Sequence, residues 1–382
     1  MIKPAERINN VEEYYFSTKL KEIANLISSG KKIINLGIGS PDMPPSEKVI
    51  DELINNAKEI KNHGYQSYVG IPDFRKAMAA FYEKYFNVKL NYVDEILPLM
   101  GSKEGIMHIS LAFLNKDEGV LIPNPGYPTY ESVSKLVGAN IIKYDLIPEK
   151  SWIPDFDEIE KNDLTNVKLM WINYPNMPTG QQASRELFEK AINFGKKHNI
   201  LICNDNPYSF ILNDKQLSIL EIENAKDIAI ELNSLSKASN MAGWRVGMVC
   251  GNSNYINYIL RVKSNMDSGM FLPVQKAAIK ALELDSSWYN ELNSEYEKRK
   301  ILTYNIFDKL NCSFDKNQKG LFVWARIPDA YKHSKDFSDD VLEKYETFIT
   351  PGFIFGSNGN NYARISLCAN TDTLNEVISR IK

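Results

Sequence analysis

The middle of the chain alternates short apolar runs with longer amphipathic stretches, and this alternation narrows the fold more than any other feature of the sequence. The runs are Gly119–Pro123, Lys168–Asn173, Asn199–Cys203, Asp227–Leu232 and Val246–Cys250. They are rich in branched residues and lack apolar–polar alternation, as expected of strands buried on both faces. Helical periodicity fills several of the intervals, over 102–114, 184–198 and 253–265. Strands and helices in turn predict an α/β fold with a mostly parallel sheet wrapped by helices.

Past about residue 280 the pattern changes. A charged amphipathic stretch over 286–310 leads into Gly320–Ile327 and Tyr362–Leu367, which alternate more. They predict a smaller α+β domain. Lys31–Leu36 is strand-like and is expected to bring the N-terminal segment onto that domain. The expected division is a large domain over 43–280 and a small one formed by 1–42 and 281–382. No repeat or long linker separates them.

Composition removes several function classes. Lys and Arg number 45 against 48 Asp and Glu, giving a net charge of −3 and no basic footprint for nucleic acid or an anionic membrane. No apolar stretch reaches the length of a membrane span, and Met1–Asn10 has no apolar core of a signal peptide. Cys203, Cys250, Cys312 and Cys368 stand far apart and read as reduced, buried thiols of a cytoplasmic protein. His63, His108, His198 and His333 are equally scattered, so no metal site is expected.

Familiar nucleotide and hydrolase motifs are missing. Gly37-Ile38-Gly39 has no third glycine, and Pro41 stands where a helix would open. No phosphate-binding loop ending in Gly-Lys-Ser/Thr and no nucleophile elbow occurs. The informative residues instead fall at predicted strand ends, where open α/β sheets place their ligands. Asp205 follows one strand, with Tyr208 three residues on. Lys237 lies just past the next, and Arg245 precedes a third. Gly101-Ser102-Lys103 opens a helix whose first N–H groups can cradle phosphate.

Each has a plainer reading when taken alone. Lys237 could be a solvated lysine, Asp205 a helix cap, Arg245 half of an ion pair, and Pro125–Pro128 a turn. Together they meet the demands of pyridoxal 5'-phosphate: a lysine for a Schiff base, a carboxylate for the ring nitrogen, and several phosphate donors. Ser234, Arg245 and the helix start at Ser102 would hold the phosphate, and Tyr127 would cover the ring.

The order and spacing of these residues resemble the class I/II aminotransferases, the fold-type I pyridoxal-phosphate enzymes. The stretches that carry the resemblance include 35–42, 65–75, 101–105, 123–130, 173–180, 205–208, 234–247, 351–356 and 362–366. Ser234-Leu235-Ser236-Lys237, followed by Trp244-Arg245 before a glycine, is the most specific of them. Within the family, 97–106 and 262–271 look most like the LL-diaminopimelate aminotransferase-like subgroup, which also holds enzymes acting on alanine, glutamate, methionine or aromatic amino acids, so the resemblance leaves the amino donor open among these.

The resemblance implies that Lys237 is the Schiff-base lysine and the proton carrier. By the same resemblance, Asp205 partners the ring nitrogen, Tyr208 lies beside the ring hydroxyl and Tyr127 stacks on the ring. Ser234, Arg245 and the backbone of Ser102 and Lys103 match phosphate contacts. Tyr65 matches a tyrosine that reaches the neighbouring subunit's phosphate, implying a homodimer with shared sites. Arg364 matches the fork for the substrate α-carboxylate, and Gly39 lies in the loop that closes over it.

One position departs from the family. Met177 stands where an asparagine usually donates to the ring hydroxyl, and a thioether has no N–H to give. Either Tyr208 suffices, or the neighbouring Asn176 shifts in, or the Schiff base loses a stabilising contact. The implied activity is ping-pong transfer of an amino group between an L-amino acid and a 2-oxo acid, with 2-oxoglutarate as the family's usual acceptor. A carbon–sulfur lyase or decarboxylase on the same scaffold is the alternative, and a non-catalytic binding protein the remote one.

Overall fold

In the computed structural model, residues 2–9 and 15–382 are described. After an N-terminal helix, Tyr15–Ser28, comes a short strand, β1 (Ile34–Asn35). Seven strands build the main sheet: β2 (Ile96–Leu99), β3 (Gly119–Asn124), β4 (Asn140–Asp145), β5 (Val167–Ile172), β6 (Leu201–Asp205), β7 (Ala229–Ser234) and β8 (Gly247–Gly251). Five short strands follow: β9 (Ser313–Phe314), β10 (Phe322–Arg326), β11 (Thr347–Phe348), β12 (Thr350–Pro351) and β13 (Tyr362–Ser366).

The main sheet has the order β2-β8-β7-β6-β5-β3-β4. Only β8 runs against its neighbours, so β2 through two inversions points the same way as the other five. The missing alternation in the sequence has a direct cause. Leu121, Met170, Ile172 and Ile202 pack into the core on one face. Their neighbours Val120, Ile122, Leu169, Trp171, Leu201 and Cys203 pack into a second core on the other. Both faces are covered, so every position must be apolar.

Two strands of this sheet escape the sequence pattern, for different reasons. β4 is the outer strand and is mostly solvent-accessible, so its residues need not be apolar. β2 contains Pro98, which would break a central ladder but is tolerated on the opposite edge of the sheet.

The second sheet, β12-β13-β10-β9, is antiparallel, as the stronger alternation over 320–327 and 362–367 suggests. β1 pairs in parallel with β11, bringing the N-terminal segment beside the C-terminal strands. Ile23 reinforces this by packing with Leu342 and Phe348. The larger apolar core includes Phe322, Trp324 and Ile365, so it continues from the main sheet into the smaller one. All four cysteines are free and buried.

Arg299, on the long helix Ser286–Lys309, clasps these parts together. It is 3% exposed and donates to both oxygens of Asp42, at 2.6 and 3.2 Å, and to the Leu367 carbonyl at 3.1 Å. Asp42→Ala leaves this buried guanidinium with Glu295 as its remaining carboxylate. We expect a loss of about 1–3 kcal/mol, read as a lower urea midpoint with an unchanged slope. An unchanged midpoint would show that the clasp contributes nothing.

Candidate active site

The carboxyl ends of the parallel strands open onto a cavity of about 670 Å³. Ten of the twelve residues singled out in the sequence line it: Gly39, Ser102, Lys103, Tyr127, Asp205, Tyr208, Ser234, Lys237, Arg245 and Arg364. The other two do not. Tyr65 is 94% exposed on the outer surface. Asn176 is buried inside its own turn, with its side chain donating to the Asn173 carbonyl and accepting from the Thr179 hydroxyl and N–H. Asn176 therefore has no route into the cavity, which corrects the expectation that it stands in for the missing asparagine. Met177 itself lines the cavity, as does Asn173.

Asp205 is the last residue of β6 and is 4% exposed. Its Oδ2 accepts from the Tyr130 hydroxyl at 2.9 Å, while its buried Oδ1 has no hydrogen-bond partner. Asn173 donates to the Asp205 carbonyl at 2.5 Å and fixes the strand end. Tyr130 is held in turn by stacking on Trp171, with centroids 5.1 Å apart and planes 8° from parallel. Burial pushes the Asp205 carboxyl up to about 6; the Tyr130 hydrogen bond opposes this and the nearby Glu231 carboxylate adds to it.

Lys237 lies in the single helical turn Leu235–Ala238, capped by Ser234, whose Oγ accepts from the Ser236 N–H at 3.1 Å. Its ammonium donates to the Gly39 carbonyl, which joins the strand-end side of the cavity to the N-terminal loop. Burial lowers its pKa, Cys368 opposes that shift, and the positive Arg364 and Arg245 reinforce it.

Gly101, at φ 88°, allows the turn before the helix Ser102–Phe113 to approach Arg245. A Cβ at Gly101 would stand 2.1 Å from Arg245 Nη2. Arg245 itself has a left-handed backbone, φ 58° and ψ 60°, and its Nη1 donates to the Ala242 carbonyl at 2.9 Å. Holding a non-glycine residue there costs backbone energy, which rigid surroundings must offset.

Across the cavity, β13 presents Arg364. Its guanidinium lies 3.9 Å from the Phe322 ring centroid and 4.7 Å from that of Phe355. Nη2 donates to the Gly37 carbonyl at 2.9 Å and Nη1 lies 3.3 Å from Met177 Sδ. Nε is buried with no hydrogen-bond partner. Burial brings its pKa down to about 10.

Sequence reasoning missed Tyr130, Asn173 and Ser236. Tyr130 and Asn173 stand within recognised stretches, but only the pairing of β5 with β6 brings Asn173 to Asp205, and only the helix Pro128–Val137 aims Tyr130 at it. Phe16, Leu20 and Phe322, which also line the cavity, lie outside every recognised stretch, and Ile38 and Phe355 lie inside two of them without having been singled out.

A cavity at strand ends that joins a buried lysine, a buried carboxylate and two arginines is the arrangement of an amino-group transferase. The chain belongs to the class I and II aminotransferases, whose family model matches residues 31–381. It is 40% identical over 382 residues to an LL-diaminopimelate aminotransferase of Nitratidesulfovibrio vulgaris, covering 99% of this chain and 98% of that one. A relative of the same description in Dehalococcoides mccartyi is 38% identical, covering 100% and 98%. Among solved structures, substrate-bound BacF from Bacillus subtilis superposes with a TM-score of 0.96 at 34% identity, over 100% of this chain and 97% of that one.

The raised pKa of Asp205 ties stability to pH. The carboxyl stays protonated to about 6 when folded but ionises near 3.8 when unfolded, so its stabilising effect is complete below 3.8 and is lost as pH rises through 6. In cofactor-free protein, Asp205→Asn should be more stable than wild type by up to about 3 kcal/mol at pH 7.5. The gap should shrink toward pH 4. Urea titrations of both proteins at several pH values check this, and a pH-independent gap contradicts it.

Proposed function

We propose that this aminotransferase works with pyridoxal 5'-phosphate and moves an amino group between an L-amino acid and a 2-oxo acid in two half-reactions. The observation that carries the proposal is the unpartnered, buried Oδ1 of Asp205, a residue that lines the same cavity as Lys237. A buried carboxylate oxygen without a partner is costly, and a protonated pyridine nitrogen supplies what it lacks. The glycine cradle at Gly101 and the N-terminus of a 12-residue helix suit a phosphate. When bound, the cofactor supplies an electron sink for charge left on the substrate Cα.

The chain's own residues do the rest. Lys237 anchors the cofactor and, once displaced by substrate, accepts the Cα proton. Burial lowers its pKa, which favours the neutral amine that this role needs. Arg364 receives the α-carboxylate through its free Nε edge, held in plane by Phe322 and Phe355. Tyr127 restrains one ring face. Tyr208 supplies a hydroxyl that burial keeps protonated. Ser234, Arg245 and the amides of Ser102 and Lys103 bind the phosphate.

The relatives' names put LL-diaminopimelate among the amino donors to be tried, with 2-oxoglutarate as an acceptor. We place the enzyme in the cytoplasm, where its four free buried thiols stay reduced. No helix among the described residues is long and apolar enough to cross a membrane. A homodimer is supported by the exposed apolar side chains of Ile60, Tyr65 and Met266, and light scattering at twice the chain mass checks it.

Lys237→Ala should lower amino transfer by more than about 1,000-fold and abolish the visible absorption of the reconstituted protein. Retention of both would refute the assignment. Met177→Asn introduces an N–H donor at the cavity. The pH at which the visible band of the loaded protein titrates should be lower in this variant than in wild type, and an equal or higher value would show that Tyr208 alone suffices.

A further inference from the structure

Resting on the cofactor reading above, we propose that Glu104 is a positioning residue for the cofactor's phosphate, held to that task by a buried ionic network that starts at His108. The helix Ser102–Phe113 begins at Gly101, which has no side chain to cap it. Its first N–H groups are therefore left for a ligand. An acidic residue at the third helical position commonly folds back onto the N–H of the capping residue. Glu104 holds that position but reaches one residue further, and its Oε2 accepts from the Met100 N–H at 2.6 Å. The turn is fastened without drawing on the amides of Ser102 and Lys103.

This staple matters because the strand before it is weakly held. β2 is an edge strand of four residues containing Pro98, and its pairing with β8 ends at Leu99 and Gly247. Met100 is the first residue past that ladder. The turn it begins has little slack: a Cβ at Gly247 would lie 2.8 Å from the Ser102 nitrogen, and the Met100 carbonyl lies 3.5 Å from Arg245 Nη2. The amides and Arg245, the two kinds of phosphate donor, meet at this turn. Moving it displaces one against the other.

A carboxylate near a phosphate site costs repulsion unless its charge is countered. His108, one turn along the helix and 2% exposed, places Nε2 2.7 Å from Glu104 Oε1. A carboxylate only accepts, so Nε2 carries the hydrogen. Each Glu104 oxygen is thus engaged, one by the turn and the other by the imidazole. Asp267 stands close to both, with one ligand atom of each of the three residues within 4.8 Å of the others. Such a trio can resemble a metal seat. Here, however, the buried Lys263 ammonium lies 2.8 Å from Asp267 Oδ2 and donates to the Tyr68 carbonyl at 3.0 Å. The chain itself supplies the cation that Asp267 needs, so the group is an ion-pair network bracing the staple. Apolar residues of similar size would hold the helix at least as well, so stability alone does not account for it. Every contact named lies within one subunit, and a neighbouring subunit can add phosphate donors without replacing any of them.

The test compares two ligands that differ in the phosphate. Apoprotein is titrated with pyridoxal 5'-phosphate and with pyridoxal, following the visible band, and with inorganic phosphate as a competitor. In Glu104→Ala the affinity for pyridoxal 5'-phosphate and for inorganic phosphate should fall about 10- to 100-fold, while that for pyridoxal stays within about twofold of wild type. Glu104→Gln keeps a carbonyl acceptor for the Met100 N–H and should recover most of the loss. His108→Leu should lower the preference for the phosphorylated ligand about three- to tenfold, and it carries the test should Glu104→Ala not fold. Equal losses for both ligands, or an unchanged preference in the folded variants, overturn the inference and leave the cofactor assignment standing. Wild-type protein that binds neither ligand overturns the cofactor assignment, and this inference falls with it.

Discussion

The site depends on one carboxylate placed where the sheet does not welcome it. Asp205 ends a strand flanked by apolar neighbours on both faces, and burial, against the opposing Tyr130 hydrogen bond, pushes its carboxyl up to about 6. The surroundings only half relieve this. Tyr130 satisfies one oxygen, Asn173 pins the backbone, and the other oxygen is left bare. A core optimised for stability would have replaced the group by an amide or an apolar residue. Its presence, with its tyrosine stacked on Trp171, marks a position where the fold gives up stability for a buried, half-satisfied carboxyl at the cavity.

The opposite side of the cavity solves a different problem. Arg364 carries its charge in a dry setting that lowers its pKa, and its Nε is left without a partner. Two phenyl rings hold the guanidinium plane, and the Gly37 carbonyl takes one donor. Because Gly37 follows β1 and β1 pairs with β11, the arginine's position depends on the N-terminal segment lying against the C-terminal strands. Met177, touching Nη1 through sulfur, fills space beside the fork without competing for the carboxylate as an amide would.

How much of this was legible in the sequence depends on what each element is buried against. β3 and β5 to β8 were readable because double-sided burial leaves an unmistakable apolar run, with ends misplaced by one or two residues. β2 and β4 were not, since edge strands tolerate Pro98 and a polar face. Ten of the twelve singled-out residues converge because motif residues follow strand ends, and the topology of the fold brings those ends together. Tyr130 and Asn173 were hidden because their function is to touch Asp205, a contact made across the sheet and not along the chain. Asn176 misled because a turn-forming asparagine and a site asparagine look alike until the Thr179 contacts are seen.

Phe16, Leu20 and Ile38 were the least legible. A polar site residue announces itself because placing it at a strand end needs a justification, whereas an apolar residue on an amphipathic helix is the default for core packing. Only the position of the helix shows that its stripe outruns the core it is anchored to. The anchor uses Phe16, Lys19 and Ile23, which leaves Leu20 as the stripe residue it does not need. The apolar character of Leu20 is therefore not demanded by that anchor. The chemistry common to all amino donors is built into the strand ends, where a one-residue shift would destroy it. Phe16 and Leu20 line the same cavity from a peripheral helix, away from the strand ends that carry Asp205 and Lys237.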